Sequence, residues 1–287
     1  MQIQDALAQF LVQLEADGRS PHTIAQARRH VELLARFVGN RDVATIEHTD
    51  VARFLTSAMA CRTPDGRAKK PGSANALRSS VRCFCAYLHA AGLTQTNAAR
   101  LVRRAICGAP TPKALSDGDR AKLLAALDQA KTKAELRDRA MFRTMLGCGL
   151  RLGSAIGLEV GDVDLDAGEL QLRRMKGGQQ ATVFMPREVV DLLRTYLGDR
   201  KTGPVFPAAN GGPIGAREAH RRLQLWGERA RVAGVHPHRL RHSFGTRVYE
   251  QTRDLLVTAR ALTHRSVGST AVYAQVSDKA VRSAVGA

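Results

Sequence analysis

The sequence predicts a mainly α-helical protein with a small β-sheet, divided into a helical N-terminal domain and a mixed α+β C-terminal domain. Apolar residues recur at helical spacing through most of the 287 residues. Their spacing changes to nearly two over residues 168–185. The segment Cys107–Lys113 holds two prolines and a glycine, which suit neither a helix nor a central strand. We therefore expect domains at 1–105 and 115–287, a linker at 106–114 and a C-terminal tail at 277–287.

The first domain is expected to contain four or five helices. Ser20 followed by Pro21 is typical of an N-cap and first helical residue, and Pro71 marks a second such start. Gly92 is a typical helix stop. The predicted helices lie near 3–16, 21–37, 49–60 and 71–92.

The second domain is expected to combine helices with one β-hairpin. Ser116 is a typical N-cap for its first helix. The period-two segment 168–185 predicts a hairpin whose polar tip is Lys176-Gly177-Gly178-Gln179-Gln180. The predicted helices lie near 117–129, 135–149, 188–197, 215–233, 238–251 and 255–261.

The composition favours a polyanionic partner. The chain carries 44 Lys+Arg against 26 Asp+Glu, a formal net charge of +18, and nucleic acid is the first partner that this excess predicts. No segment has the length of a membrane span or the pattern of a signal peptide, so we expect a cytoplasmic protein without a membrane partner. The five cysteines show no zinc spacing, which predicts reduced thiols and no metal.

Five short segments of the second domain hold the residues that phosphoryl transfer needs. Attack on a phosphodiester places charge on the non-bridging oxygens, and fixed cationic donors stabilise that charge. Arginine suits this role because its planar fork binds two phosphate oxygens. A tyrosine hydroxyl is a poor nucleophile until nearby cations favour the phenolate. The segments are Gly149-Leu150-Arg151, Lys176, His238-Arg239-Leu240-Arg241-His242, Leu262-Thr263-His264 and Tyr273.

These segments resemble the tyrosine recombinases, also called phage integrases, and within them the Xer-like members. The matching motifs are GLR, Lys-Gly-Gly on the hairpin, HRLRHSFGT, LTHRSVGSTAVY and YAQV, and they cover about residues 115–276. The segment SPHTIAQARRHVELLARFVG is similar to the N-terminal core-binding domain of the family. The resemblance implies a SAM-like helical core-binding domain followed by a tyrosine recombinase catalytic domain.

The resemblance also implies a role for each site residue. Arg151, Arg241 and His264 would bind and stabilise the scissile phosphate. Lys176 would be the general acid for the 5′-oxygen, and His238 would assist proton transfer as general base. Tyr273 would be the nucleophile that forms a 3′-phosphotyrosyl link. That link conserves the energy of the phosphodiester, so neither ATP nor a metal cofactor is expected.

The implied function is site-specific DNA recombination, for resolution or integration of DNA. The implied partners are double-stranded DNA with an inverted-repeat core site and a tetramer on that DNA. The tetramer would be a homo-tetramer or would include a related recombinase. Basic residues of the first domain are candidate DNA contacts, although each pair has an equally good interpretation as a solvated face. They are Arg28, Arg29, Lys69, Lys70, Arg78 and Arg82.

One position departs from the family pattern. Three residues after the first arginine the family usually has Glu or Asp, whereas this chain has Ser154. Glu159 and Asp162 are the nearby carboxylates that would substitute. A DNA-binding protein whose catalysis has decayed therefore stays open as an alternative. A type IB topoisomerase-like strand transferase is a second alternative, because such enzymes use similar site residues.

Overall fold

The computed structural model describes residues 1–106, 114–173, 180–264, 268 and 270–274. The chain separates into two compact units, Met1–Ala109 and Pro110–Ala287. Three predicted features lie outside the described residues: the Pro/Gly segment of the linker, the hairpin tip with Lys176, and the C-terminal tail.

The described secondary structure of the first unit is helical apart from two isolated β-bridges, Gln2 with Asp42 and Arg62 with Ala68. Its helices are α1 (Ile3–Ala16), α2 (Pro21–Val38), α3 (His48–Thr56), α4 (Ala58–Cys61) and α5 (Pro71–Ala90). The Ser20 side chain accepts a hydrogen bond from the Thr23 amide, which is the N-cap that the sequence predicted. Phe10, Phe54 and Phe84 are buried in a core that all of these helices share.

The prediction of one helix near 49–60 was wrong, because the structure has two. Ser57 takes an extended conformation between α3 and α4, with φ −66° and ψ 157°. Its hydroxyl donates to the Phe54 carbonyl at 2.7 Å and accepts from the Ala60 amide at 3.3 Å. The serine therefore ends one helix and caps the next, a competition with the helical backbone that short polar side chains often win.

The second unit combines seven described α-helices with a small sheet. The helices are α6 (Asp117–Asp128), α7 (Lys133–Cys148), α8 (Leu152–Ile156), α9 (Arg187–Leu197), α10 (Ala216–Arg229), α11 (Pro237–Thr252) and α12 (Leu255–Ala261). A 3₁₀ turn at Ala271–Ala274 follows. Across the described part of both units, no helix is long and apolar enough to cross a membrane.

The sheet contains the predicted hairpin and one further strand. Strands β1 (Val163–Asp164), β2 (Glu169–Leu172) and β3 (Ala181–Phe184) pair antiparallel in the order β1-β2-β3. Leu170 pairs with Val183, and both are buried in the core of the unit. The two-residue β1 was not predicted, because it is too short to show a period.

A buried carboxylate fixes α10 against α7. Asp138 is fully buried and accepts from Arg137 at 2.7 Å, from Arg222 at 2.6 Å and from the Trp226 indole N–H at 3.0 Å. Charge-assisted bonds of this kind stabilise a buried carboxylate that would otherwise be costly to desolvate. The network holds α7, whose C-terminal end leads into the site.

Candidate active site

Gly149 sets the direction in which the chain leaves α7. It has a left-handed conformation with φ +65°, and a Cβ there would collide with the Phe244 ring. Glycine avoids both the backbone strain and the collision. The turn brings Arg151 to the start of α8, where it is the N-cap residue.

Helix α11 carries several candidate site residues on one face. The helix begins with Pro237 as its first residue, and the side chain of His236 caps it by accepting from the Arg239 amide. His238 lies three positions before Arg241 and four positions before His242, so it shares a side of the helix with each of them. One helix therefore supplies two imidazoles and a guanidinium to one place.

Arg241 joins three segments of the site. It is only 5% exposed and donates to the Gly149 carbonyl at 2.6 Å and to the Leu262 carbonyl. Burial, together with the nearby charge of Arg151, lowers the pKa of Arg241 to about 10. The guanidinium is therefore charged at neutral pH.

Arg151 holds the loop that follows α12. It donates to the Thr263 carbonyl at 3.4 Å and to the Thr263 hydroxyl at 3.3 Å. Thr263 has φ +51°, a strained conformation for a β-branched residue. The next residue, His264, is fixed by a 2.8 Å hydrogen bond between its Nδ1 and the Thr270 hydroxyl. The strain at Thr263 therefore occurs where the chain turns to present His264.

Tyr273 lies in the 3₁₀ turn that packs on α11. It is 7% exposed, and its ring contacts Phe244 and Leu262 in a small apolar cluster. Gly245 makes room for the ring, since a Cβ at 245 would lie 2.6 Å from Tyr273 Cζ. The Tyr273 hydroxyl lies 3.0 Å from His242 Nδ1.

The two arginines influence the titration of the groups around them. Burial raises the pKa of Tyr273, while the charges of Arg241 and Arg151 act to lower it. Burial and then the same two arginines lower the pKa of His264 to about 4. Although His238 is exposed as a residue, partial burial of its ring, followed by Arg241 and Arg151, lowers its pKa as well. These histidines are therefore neutral at pH 7.

No carboxylate among the described residues pairs with Arg151 or Arg241. The nearby Asp162 forms an ion pair with Arg173 and accepts from the Glu159 amide at 3.0 Å, so it is occupied elsewhere. Ser154 is half-buried on α8 and has no hydrogen-bond partner in the described part of the chain. Backbone carbonyls, and not an acidic side chain, hold the two arginines in place.

The structure brings together five of the six predicted catalytic residues, and Lys176 lies outside the described residues. The candidate DNA contacts belong to the first unit, where Arg28, Arg29, Lys70 and Arg82 are exposed. Lys69 and Arg78 are half-buried, and Lys69 donates to the Met59 carbonyl.

Sequence reasoning gave no role to His242, although it lies in the segment 238–242, and it missed Gly245. The signal for His242 is its spacing of four from His238 on one helix, and the signal for Gly245 is a glycine inside a helix, where alanine is preferred.

Comparison with known proteins identifies the class of protein. The phage integrase family model matches residues 114–280, more than half of the chain. This chain therefore belongs to the phage integrase family, as the sequence motifs predicted.

Within that family the chain is similar to the Xer proteins. It is 32% identical over 276 residues to tyrosine recombinase XerC of Chromobacterium violaceum, covering 94% of this chain and 90% of the relative. It is 32% identical over 283 residues to tyrosine recombinase XerD of Mycobacterium tuberculosis, covering 92% and 90%. A structure of a lambda integrase tetramer bound to a Holliday junction matches with a TM-score of 0.71 at 18% identity, covering 93% of this chain and 78% of that chain. The last match supports the fold.

Proposed function

We propose that this chain is a site-specific DNA recombinase that cleaves and rejoins strands through a 3′-phosphotyrosyl link to Tyr273. The observation that carries the proposal is the convergence of one tyrosine hydroxyl with two arginines and three histidines from separate segments of one unit. Membership of the phage integrase family supports the same reaction.

The chemistry assigns a task to each group. The Tyr273 oxygen attacks the scissile phosphorus, the bond to the 5′-oxygen breaks, and Lys176 donates a proton to that oxygen. Arg151, Arg241 and His264 stabilise the charge that develops on the non-bridging oxygens. His238 assists proton transfer as general base. The 5′-hydroxyl of a partner strand then attacks the phosphotyrosine and gives its proton to Lys176, the bond from phosphorus to the Tyr273 oxygen breaks, and a phosphodiester is restored.

The partners follow from charge and from the family. The net charge of +18 supports binding to duplex DNA, and we propose an inverted-repeat core site as the target. The lambda integrase tetramer on a Holliday junction supports a tetramer here, either of identical chains or with a related recombinase. Arg28, Arg29, Lys69, Lys70, Arg78 and Arg82 are proposed to contact the DNA, and the cytoplasm is the proposed location.

The test is covalent capture of DNA. A DNA duplex that the wild-type protein binds is first selected from a pool of random inverted half-sites. The selected duplex is then nicked near the cleavage position, so that the short fragment released by cleavage diffuses away and the covalent complex is trapped. We expect a DNA-linked protein band on a denaturing gel, absent with Tyr273→Phe. Tyr249→Phe, which alters another tyrosine packed on the same cluster, is the matched control and should retain the band.

Three other outcomes would contradict the proposal. Tight binding without a covalent band would indicate a DNA-binding protein without catalysis. Retention of the band by Tyr273→Phe would assign the nucleophile to another residue. Relaxation of any supercoiled plasmid, with no preference for the selected duplex, would indicate the topoisomerase-like activity.

A further inference from the structure

We propose that His242 is a further catalytic residue, which accepts the phenolic proton of Tyr273 when the tyrosine attacks and returns it when the strand is rejoined. This inference rests on the proposed function, because it concerns the nucleophile of that reaction. None of the roles assigned above uses His242.

The geometry pairs His242 with the nucleophile directly. Its Nδ1 lies 3.0 Å from the Tyr273 hydroxyl, and the two ring centroids are 5.7 Å apart. A group that removes a proton must lie within hydrogen-bond distance of it, and His242 satisfies that condition. The contact joins residues 31 positions apart, so it is a product of the tertiary fold.

The other histidines of the site are placed differently. His264 uses its Nδ1 on the Thr270 hydroxyl. His238 lies one helical turn before His242, with 6.2 Å between ring centroids, and no described hydrogen bond joins it to Tyr273. In the described structure His242 is therefore the histidine that contacts the phenol, and the assistance proposed for His238 would act through His242, its neighbour one helical turn away.

Packing holds the phenol in this position. Gly245, one turn after His242, leaves the space that the Tyr273 ring fills, and Phe244 and Leu262 close around the ring. Interior glycine costs a helix about 1 kcal/mol relative to alanine. Gly245 and His242, both on α11, therefore both position Tyr273: the glycine leaves space for its ring and the histidine contacts its hydroxyl.

The charges around His242 keep it able to accept a proton. Burial lowers its pKa, and the neighbouring His238, His236 and Arg241 lower it further. The ring is therefore neutral at pH 7. With its proton on Nε2, its Nδ1 offers a lone pair to the Tyr273 O–H. The groups that face it are these three neighbours and the phenol itself.

The proposed step is balanced. The Tyr273 O–H bond breaks and its proton passes to His242 Nδ1, while the phenolic oxygen forms a bond to phosphorus. The bond from phosphorus to the 5′-oxygen breaks, and that oxygen takes its proton from Lys176. During rejoining the 5′-hydroxyl forms its bond to phosphorus and gives its proton to Lys176, which cleavage left neutral, while the bond from phosphorus to the Tyr273 oxygen breaks and the imidazolium of His242 returns its proton to that oxygen. No oxidant, reductant or further reactant takes part.

The test compares single-turnover cleavage of the selected, nicked duplex by the wild type, His242→Ala and His242→Asn. Asparagine keeps a hydrogen-bonding atom near the position of Nδ1 but does not accept the proton. Loss of a general base slows a reaction by about 100- to 10,000-fold, and we expect both variants to show it. His220→Asn, at a half-buried histidine of α10, is the control and should cleave normally.

Two bypass reactions separate proton transfer from a structural role. In His242→Ala, fluorotyrosine at position 273 should recover part of the lost rate, because a more acidic phenol needs less help from a base. A duplex that ends in a 3′-p-nitrophenyl phosphate should be joined to a 5′-hydroxyl strand at the wild-type rate, because its leaving group needs neither Tyr273 nor a proton.

Each failure has a distinct signature. Absence of covalent product from the wild type would overturn the proposed function and this inference together. Normal cleavage by His242→Ala or His242→Asn, while the wild type is active, would overturn this inference alone. Equal loss of cleavage and of activated joining would indicate a structural role and would also overturn it. If His242→Ala does not fold, the cleavage rate of His242→Asn decides the question. The His242 Nδ1 resonance is then also compared between the wild type and Tyr273→Phe, and an unchanged resonance would contradict the hydrogen bond.

Discussion

Replacing Arg241 with lysine separates the shape of the guanidinium from its charge. The substitution keeps one positive charge but removes the planar fork that reaches the Gly149 and Leu262 carbonyls together. An ammonium at the end of a linear side chain does not reproduce both bonds in addition to a phosphate contact. Loss of one hydrogen bond to a charged donor costs about 1.5–3 kcal/mol, which is the expected decrease in the free energy of unfolding.

The catalytic effect should be larger than the effect on DNA affinity. Removal of one donor from a developing oxyanion slows such reactions by about 100- to 1,000-fold. We therefore expect Arg241→Lys to cleave the nicked duplex more slowly by that factor, while its dissociation constant for the intact duplex changes little. Single-turnover cleavage, a binding titration and urea denaturation measure the three quantities.

The matched control is another arginine of the same helix. Arg239 donates to the Ala233 carbonyl and lies 3.7 Å from Asp119, away from the tyrosine. Arg239→Lys should leave the cleavage rate unchanged. An Arg241→Lys variant that cleaves as fast as this control would refute the argument that the fork, and not the charge alone, stabilises the transition state.

Three further predictions concern stability and are measured by urea denaturation. Asp138→Ala should lower the free energy of unfolding by about 3–5 kcal/mol, because buried cationic donors lose their partner. Asp128→Ala, at an exposed carboxylate that pairs with Arg139 and Arg143, should cost only about 0–1 kcal/mol per pair, and equal losses for the two variants would contradict the buried network. Gly149→Ala should lower the free energy of unfolding by about 2–4 kcal/mol, because φ is positive there and the new Cβ would meet the Phe244 ring. Gly153→Ala should leave the stability unchanged, since its Cβ would meet nothing within 4 Å. Similar values for the two variants would show that Gly149 is not required for its backbone conformation and close packing. The protein should lose stability as pH falls from about 6.5, the ordinary histidine value, towards the pKa of about 4 of His264, since the unfolded chain binds protons first. His264→Gln should flatten this dependence, and an unchanged slope would show that other groups cause it.

Local signals in the sequence predicted many of the helices well. The Ser20-Pro21 pair located the start of α2, and the hydrogen bond from the Thr23 amide to Ser20 explains why. The signal failed at Ser57, because a single serine inside an apolar repeat does not reveal whether it will cap a new helix. Short elements such as β1 depend on their partner strand and leave no pattern of their own.

The site was predictable as a set of residues but not as a set of contacts. The order of arginines, histidines and tyrosine is visible in the sequence, and the family match supports its interpretation. The bond between His242 and Tyr273 depends on how a 3₁₀ turn folds back onto α11, which no local spacing determines. The carbonyl partners of Arg241 were hidden for the same reason, since every residue has a carbonyl.

Those carbonyl partners have a consequence for the approach of DNA. A carboxylate behind an arginine would add a fixed negative charge next to the place that a phosphate must occupy. Carbonyl dipoles orient Arg151 and Arg241 without adding such a charge, and they do not titrate. Among the described residues, an incoming strand therefore meets two cations whose attraction is not offset by a carboxylate paired with either of them, and the serine at position 154 leaves that attraction undiminished.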